Sequence, residues 1–298
     1  MSDPVAGRPA AAGGPVPDDA APGAGGARGP DGAVRRLRVV DGDPWAPLRA
    51  ATPARIGLAR AGDALTTRDQ LALRLAHAGA RDAVHEPLDG DALAAALAPR
   101  TTIAVRSACA DRASYLQRPD LGRRLADGEA ERLRATAGGD RCDVAFVVAD
   151  GLSPRAVREH GAATVHAVAT RLDGLAIGPV VVAHQARVAL GDAVGEALGA
   201  ALAIVLIGER PGLSTADSLG AYLTFDPRPG RHDAQRNCVS NIRPAGLPIA
   251  AAAGTVARLA REALRRQLTG VALKDDAPPA LEGALADALE RRSGPAAR

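Results

Sequence analysis

With 47% hydrophobic residues, a chain of 298 residues can bury a real core, but aromatics make up only 2%, so alanine, valine and leucine must fill the interior and closely packed alanine-rich helices are expected. The net charge of +3 is spread along the chain with no basic face interleaved with aromatics, which argues against a nucleic-acid partner; Lys274 is the only lysine, a bias read as that of a GC-rich genome. The three cysteines, Cys109, Cys142 and Cys238, form no C-x-x-C pair, and no apolar run reaches the roughly eighteen residues of a membrane span or the pattern of a signal peptide, so neither disulfide framework, zinc site nor membrane is indicated and a reducing cytoplasm fits.

Residues 1 to about 38 are Ala, Gly, Pro and Asp without periodicity and cannot bury enough surface to offset ordering entropy, so 1–44 is expected to be a disordered tail. Its Gly23, Gly25 and Gly29 have neither the spacing nor the flanking strand and helix of a dinucleotide loop. From Trp45 the pattern is helical, and 45–139 is read as a small helical domain closed by Gly138-Gly139. Thr67-Arg68-Asp69-Gln70 predicts a capping box in which the Thr67 hydroxyl accepts from the Gln70 N–H. The helix that follows places Leu71, Leu75 and Ala78 on one face. His77 and His85 lack an acidic or cysteine partner at ligand spacing and read as helix-end residues rather than metal ligands. A further helix is predicted over 127–137, and between the two the turn-forming, arginine-dense 115–124 reads on its own physics as a solvated loop with a charged face.

After Gly139 the rhythm becomes strand, loop, helix. The apolar run 144–149 is a strand, Ser153-Pro154 supplies an N-cap and first-turn proline for a helix to about Leu172, and 180–183 is a second strand. A helix over 192–202 leads to a third strand, 203–207, with Gly208-Glu209-Arg210-Pro211-Gly212 after it. The segment 220–225 adds a strand, 226–230 a turn, and 248–269 a long helix stopped by Gly270. Residues 274–298 revert to a polar tail in which Leu281, Leu285 and Leu289 allow a short amphipathic helix. Alternation of this kind predicts an α/β fold, a mainly parallel Rossmann-like sheet with helices on both faces over 140–273.

The sequence holds no phosphate loop, no H-E-x-x-H and no nucleophile elbow, and Ser153 reads as a cap. What remains is a rim of loops at one sheet edge: Asp150-Gly151, His184-Gln185-Ala186-Arg187-Val188, Gly208 to Gly212, and 236–243. Such a rim suits a large ligand in a strand-end crevice. The Glu209 carboxylate either accepts from a ligand amide or hydroxyl or pairs with Arg210 or Arg187; Cys238 either touches a ligand or packs, and Val188 by itself reads as core.

Four stretches in order carry a resemblance: Tyr115-Leu116-Gln117-Arg118-Pro119-Asp120-Leu121-Gly122-Arg123-Arg124, Phe146-Val147-Val148-Ala149-Asp150-Gly151-Leu152-Ser153, Val205-Leu206-Ile207-Gly208-Glu209-Arg210-Pro211-Gly212-Leu213 and Asn237-Cys238-Val239-Ser240-Asn241-Ile242-Arg243. Together, over about 52–272, they resemble the small (light) subunit of ethanolamine ammonia-lyase. The resemblance implies adenosylcobalamin (coenzyme B12) as cofactor and conversion of ethanolamine to acetaldehyde and ammonia. It implies a large-subunit partner that holds the radical chemistry, in a complex of six large and six small subunits, with no catalytic residue and no metal ligand in this chain. The family's cobalamin contacts fall on Val188, Glu209 and Cys238, which makes 140–273 the cobalamin-binding domain; Asp150 and Arg243 stand nearby in the sequence pattern. The D-x-H-x-x-G signature that supplies a histidine to cobalt does not occur, which agrees with a cofactor keeping its own base. The resemblance leaves open an assembly subunit with incidental cofactor contact. It also leaves open a cytoplasmic enzyme that is free or inside a bacterial microcompartment, because the Pro/Gly-rich N-terminus forms no amphipathic targeting helix.

Overall fold

The computed structural model describes residues 43–138 and 141–275, and the chain divides into two units, 1–57 and 58–298. Of the first unit, residues 43–57 are described; they hold one short helix, α1 (Ala46–Ala51), closed by hydrogen bonds from the Arg49 guanidinium to the carbonyls of Ile56, at 3.0 Å, and Gly57, at 3.3 Å. The expected tails at 1–42 and 276–298, with Leu281, Leu285 and Leu289, lie outside the described residues.

The second unit opens with a two-stranded hairpin, β1 (Arg60–Ala61) and β2 (Ala64–Leu65), and then helix α2 (Thr67–His85). The cap of α2 is Thr66, one residue earlier than the sequence pattern suggests: its hydroxyl accepts from the Asp69 N–H at 3.2 Å and donates to the Asp69 carboxylate at 2.9 Å. The Leu71–Leu75 face is not core within this chain, because these side chains are 58% and 75% exposed and only Ala83 of the helix is buried. After α3 (Gly90–Ala96) the chain forms a strand the sequence did not announce, β3 (Thr102–Arg106), so the mostly helical segment lends one edge strand to the main sheet. Helices α4 (Arg112–Gln117) and α5 (Glu129–Thr136) follow.

The central sheet has six strands in the order β3-β5-β4-β6-β7-β8. Strands β4 (Val144–Ala149), β5 (Val180–His184) and β6 (Leu202–Gly208) run parallel with β3, while β7 (Leu219–Phe225) and β8 (Asn237–Ile242) run antiparallel to their neighbours. All of β4 and β6 is buried, which is why they read as unbroken apolar runs: a strand covered on both faces has no position for a polar residue. Val144, Phe146 and Val148 face one core with Leu202, Ile204 and Leu206; Ala145, Val147 and Ala149 face the other.

The first core is covered by a helical segment that starts with α6 (Pro154–Ala156), widens into a π turn (Val157–Gly161) and continues as α7 (Ala162–Arg171), packed against α9 (Ile249–Arg266). Helix α9 buries Ala252, Ala253, Val256, Ala257, Ala260 and Ala263, the small-residue packing that so few aromatics require. It ends at Gln267, in the left-handed region at φ 56°, three residues before Gly270. The second core is covered by α5 and α8 (Leu190–Ala197). Helix α8 is shorter than its apolar spacing suggests, because Gly199 turns the chain at φ 61° into β6, which already starts at Leu202. The result is the expected α/β architecture with a mainly parallel sheet. It is extended at one edge by two antiparallel strands: β7, at the strand predicted over 220–225, and β8, where the sequence suggested a loop at 236–243.

Candidate functional site

Strand β4 connects through its helix back to β5 on one side, whereas β6 connects to β7 on the other, so the C-terminal ends of β4 and β6 flank a topological switch point. The two strand ends are tied together there. Leu152 N–H donates to the Gly208 carbonyl at 2.9 Å, and a Cβ on Gly208 would fall onto the Ser153 and Asp150 carbonyls, so this approach requires glycine.

Asp150 lies beneath the rim rather than in it. It is 2% exposed, and its carboxylate accepts from the N–H groups of Gly151 at 2.8 Å, Gln185 at 2.7 Å and Ala186 at 3.0 Å, with the Arg112 guanidinium 3.7 Å away. Burial pushes this carboxyl up, opposed by the Gln185 and Ala186 N–H groups and by Arg112. The same clasp holds Gln185 at φ 55°, a conformation glutamine adopts only when its surroundings impose it. Arg112 also donates to the carbonyls of Val84 at 2.7 Å and Gly151 at 2.8 Å.

The stretch 115–124 is solvated only in part: Arg118, Arg123 and Arg124 are exposed as its charged face, but Tyr115 and Gly122 are buried. Tyr115 is fully buried, its hydroxyl donates to the Ala186 carbonyl at 3.1 Å, and the guanidinium groups of Arg112 and Arg187 lie 4.7 and 4.3 Å from its ring centre. Arg187 N–H donates to the Gly122 carbonyl at 2.8 Å, where any side chain at Gly122 would press on Arg187, Tyr115 and the Gln185 carbonyl. The segment therefore braces the loop that presents Val188. The Nε of Arg187 is buried without a hydrogen-bond partner.

Above these supports lies an open cavity of about 260 Å³ lined by Tyr115, Gly151, Arg187, Val188, Glu209 and Tyr222, among others. Val188 is half-buried and packs against the second core, and Glu209 stands at the end of β6. The Glu209 carboxylate accepts from the Ser218 hydroxyl at 2.5 Å and the Asn241 N–H at 3.3 Å; among the described residues it forms no ion pair with Arg187 or Arg210. Gly220 keeps the floor flat, since a Cβ there would stand 2.9 Å from Glu209 Oε1 and 3.1 Å from the Tyr222 ring.

Cys238 belongs to β8 rather than to a rim loop. It is exposed, outside the lining of the cavity, and opposite Tyr222 in the ladder, so it shares that residue's face of the sheet. Tyr222 is thus the link between Cys238 and the Val188–Glu209 cavity; burial pushes its phenol up, and although Cys238 as a residue is exposed, desolvation of its sulfur against the sheet pushes the thiol up. Sequence reasoning missed Tyr222, although its being one of two tyrosines was the available signal. Arg243 points elsewhere and pairs with Asp217 at 2.9 Å. A larger cavity of about 640 Å³, lined by Pro99, Arg100, Thr136 and His166 among others, opens at the opposite sheet edge, away from the switch point and its converging polar groups.

Labelling tests the cysteine environment. Cys238 is expected to react with a maleimide or iodoacetamide more slowly near neutral pH than a free thiol, with the rate rising as pH passes above the usual thiol range. Cys109, 2% exposed, should stay unmodified until unfolding. Mass-spectrometric mapping that found Cys109 modified first would contradict this geometry.

A mainly parallel α/β sheet with an open crevice at its switch point, lined by Gly151 and Gly208 among others, places the chain in the class of open α/β-sheet proteins, and such crevices are where open α/β sheets hold ligands. The sequence model of the family described as ethanolamine ammonia-lyase light chain (EutC) matches residues 42–274. The chain is 54% identical over 248 residues to the ethanolamine ammonia-lyase small subunit of Xanthomonas campestris pv. campestris, covering 81% of this chain and 91% of that protein. It is 52% identical over 250 residues to the small subunit of Azotobacter vinelandii, covering 81% and 92%, and 51% identical over 248 residues to that of Pseudomonas aeruginosa, covering 81% and 91%. The chain belongs to the ethanolamine ammonia-lyase light chain family.

Proposed function

We propose that this chain is the small subunit of an adenosylcobalamin-dependent ethanolamine ammonia-lyase, which converts ethanolamine to acetaldehyde and ammonia, and that it binds and encloses cobalamin against the large subunit. The observation that carries the reading is the convergence on one face, around Tyr222, of Val188, Glu209 and Cys238, positions brought from three different strands or strand ends.

The residues fit the cofactor. A corrin is broad and flat with amide side chains, and the cavity is open beside Tyr222, where Gly220 leaves room for the Glu209 carboxylate and the Tyr222 ring to lie close together and Cys238 continues the same sheet face beyond the cavity. The Glu209 carboxylate offers acceptor capacity to an amide N–H, and the unpartnered Arg187 Nε offers a donor to an amide carbonyl or phosphate oxygen. A cavity of about 260 Å³ is below the range of sites that enclose even a drug-sized ligand, so this chain supplies one wall and the partner the other.

When bound, adenosylcobalamin supplies the radical by homolysis of its cobalt–carbon bond. Glu209 and Val188 orient one side of the macrocycle, Tyr222 and Cys238 bear against it, and the Arg112–Tyr115–Arg187 brace keeps that surface from yielding. Closure between the subunits excludes water. The complex on this reading contains six large and six small subunits and is cytoplasmic, free or in a microcompartment. Among the described residues no helix is long and apolar enough to cross a membrane.

The isolated chain, given ethanolamine and adenosylcobalamin, is expected to release no acetaldehyde, with activity appearing on addition of the large subunit. Turnover by the isolated chain would overturn the division of labour. An assembly role with incidental cofactor contact is favoured by one feature, the exposed Leu71 and Leu75 of α2, and the Glu209 variant below separates the two.

A further inference from the structure

The helix over 154–171 is interrupted by its π turn, and a π turn inserts an extra residue that rotates the following side chains relative to an α-helix. Here it places His160 in the interior, 7% exposed, beside the exposed Glu159. From the loop between β6 and β7, Asp217 meets them. The Nε2 of His160 is buried without a hydrogen-bond partner, 3.6 Å from Asp217 Oδ2 and 4.0 Å from Glu159 Oε2. Both gaps are too long for hydrogen bonds, so a buried ring nitrogen aims at two carboxylates without bonding to either.

We propose that Glu159, His160 and Asp217 form a binding site for one divalent transition-metal ion such as zinc. One ligand atom from each residue lies within 4.8 Å of the others, and ligands about 2.0–2.2 Å from a tetrahedral zinc ion stand roughly 3.3–3.5 Å apart, so a small contraction completes the set. One imidazole nitrogen with two carboxylate oxygens suits zinc and its first-row neighbours better than calcium, which takes six or more oxygens.

The second oxygen of each carboxylate is already held. Arg243 Nη1 lies 2.9 Å from Asp217 Oδ1, and Arg158 Nη2 lies 3.4 Å from Glu159 Oε1, which turns the remaining oxygens toward His160. These two arginines also balance the acidic charge, so the site favours a metal with strong imidazole affinity over one held by charge alone. Glu159 is 39% exposed and leaves an entry path and an open coordination position. A bound ion would join the helix to the loop that Ser153 also pins, through its hydroxyl on the Ala216 carbonyl at 2.7 Å. This inference does not depend on the cofactor reading.

The test uses the full-length, untagged chain purified without cobalamin, titrated with Zn²⁺ alone by calorimetry and with Co²⁺ alone by visible absorption. One ion per chain with a dissociation constant of about 10 μM or tighter is expected, together with a rise in melting temperature. Glu159→Gln, at an exposed position, and His160→Gln should each weaken binding about tenfold or more, whereas the double variant His77→Gln/His85→Gln should bind as the parent chain does. Absence of stoichiometric binding up to about 100 μM Zn²⁺ overturns the proposal. So does parental affinity in Glu159→Gln, which decides the matter even if His160→Gln fails to fold.

Discussion

Glu209→Ala is expected to weaken adenosylcobalamin binding about 10- to 100-fold while leaving assembly with the large subunit intact. A hydrogen bond to a charged group contributes about 1.5–3 kcal/mol, which corresponds to that range. The side chain sits at the rim on Ser218, Asn241 and the Gly220 floor, and no helix or strand packs through it, so its removal leaves the fold in place. Glu209→Gln keeps the shape and one acceptor oxygen and should fall between the two. Equilibrium binding of the cofactor to the assembled complex reads the first quantity, and co-purification of the subunits reads the second. Unchanged affinity with failed assembly would establish the assembly reading instead.

Arg236→Met should produce the largest loss of stability, about 3–5 kcal/mol, because it strands a buried carboxylate. The Arg236 guanidinium grips Asp192 of α8 through two contacts of 2.5 and 2.7 Å, with both side chains 2% exposed, and also donates to Thr224 of β7 at 2.8 Å. The pair locks β7 and the start of β8 to the helix layer, so the position of Cys238 depends on it. A fall in melting temperature on the order of 10 °C is the expected readout. The double variant Asp192→Leu/Arg236→Met removes both charges and should recover most of the loss, since a buried ion pair contributes little against an apolar pair of similar volume. A single variant that melts with the parent chain would mean that Asp192 is hydrated rather than sealed.

How much of the site was legible depends on the distance over which each feature is specified. Glu209 follows a buried strand directly, so its place at a strand-end crevice could be read from local pattern. Val188 could not be separated from ordinary core valines, and it enters the cavity only because Tyr115, Arg112 and Gly122, some seventy residues earlier, brace its loop. The stretch 115–124 looked solvated because arginines and turn formers are usually exposed, and its Arg118, Arg123 and Arg124 are; what local pattern could not show is that Tyr115 and Gly122 are buried, with the guanidinium groups of the distant Arg187 and of Arg112 over the Tyr115 ring. The helix cap moved from Thr67 to Thr66 because either threonine satisfies the local pattern.

By itself the sequence determined the buried strands β4, β5 and β6, the loops that end them, the alternation with helices and the family. Unbroken apolar runs between turn residues have few other solutions, and four ordered motifs are specific. Only the tertiary structure decided that β7 and β8 run antiparallel, which sets Cys238 opposite Tyr222, that Leu71 and Leu75 stay exposed, and that a π turn carries His160 to Asp217. Those outcomes rest on pairing direction, on which faces find a covering partner and on contacts between distant segments, none of which is encoded in the periodicity of any one stretch.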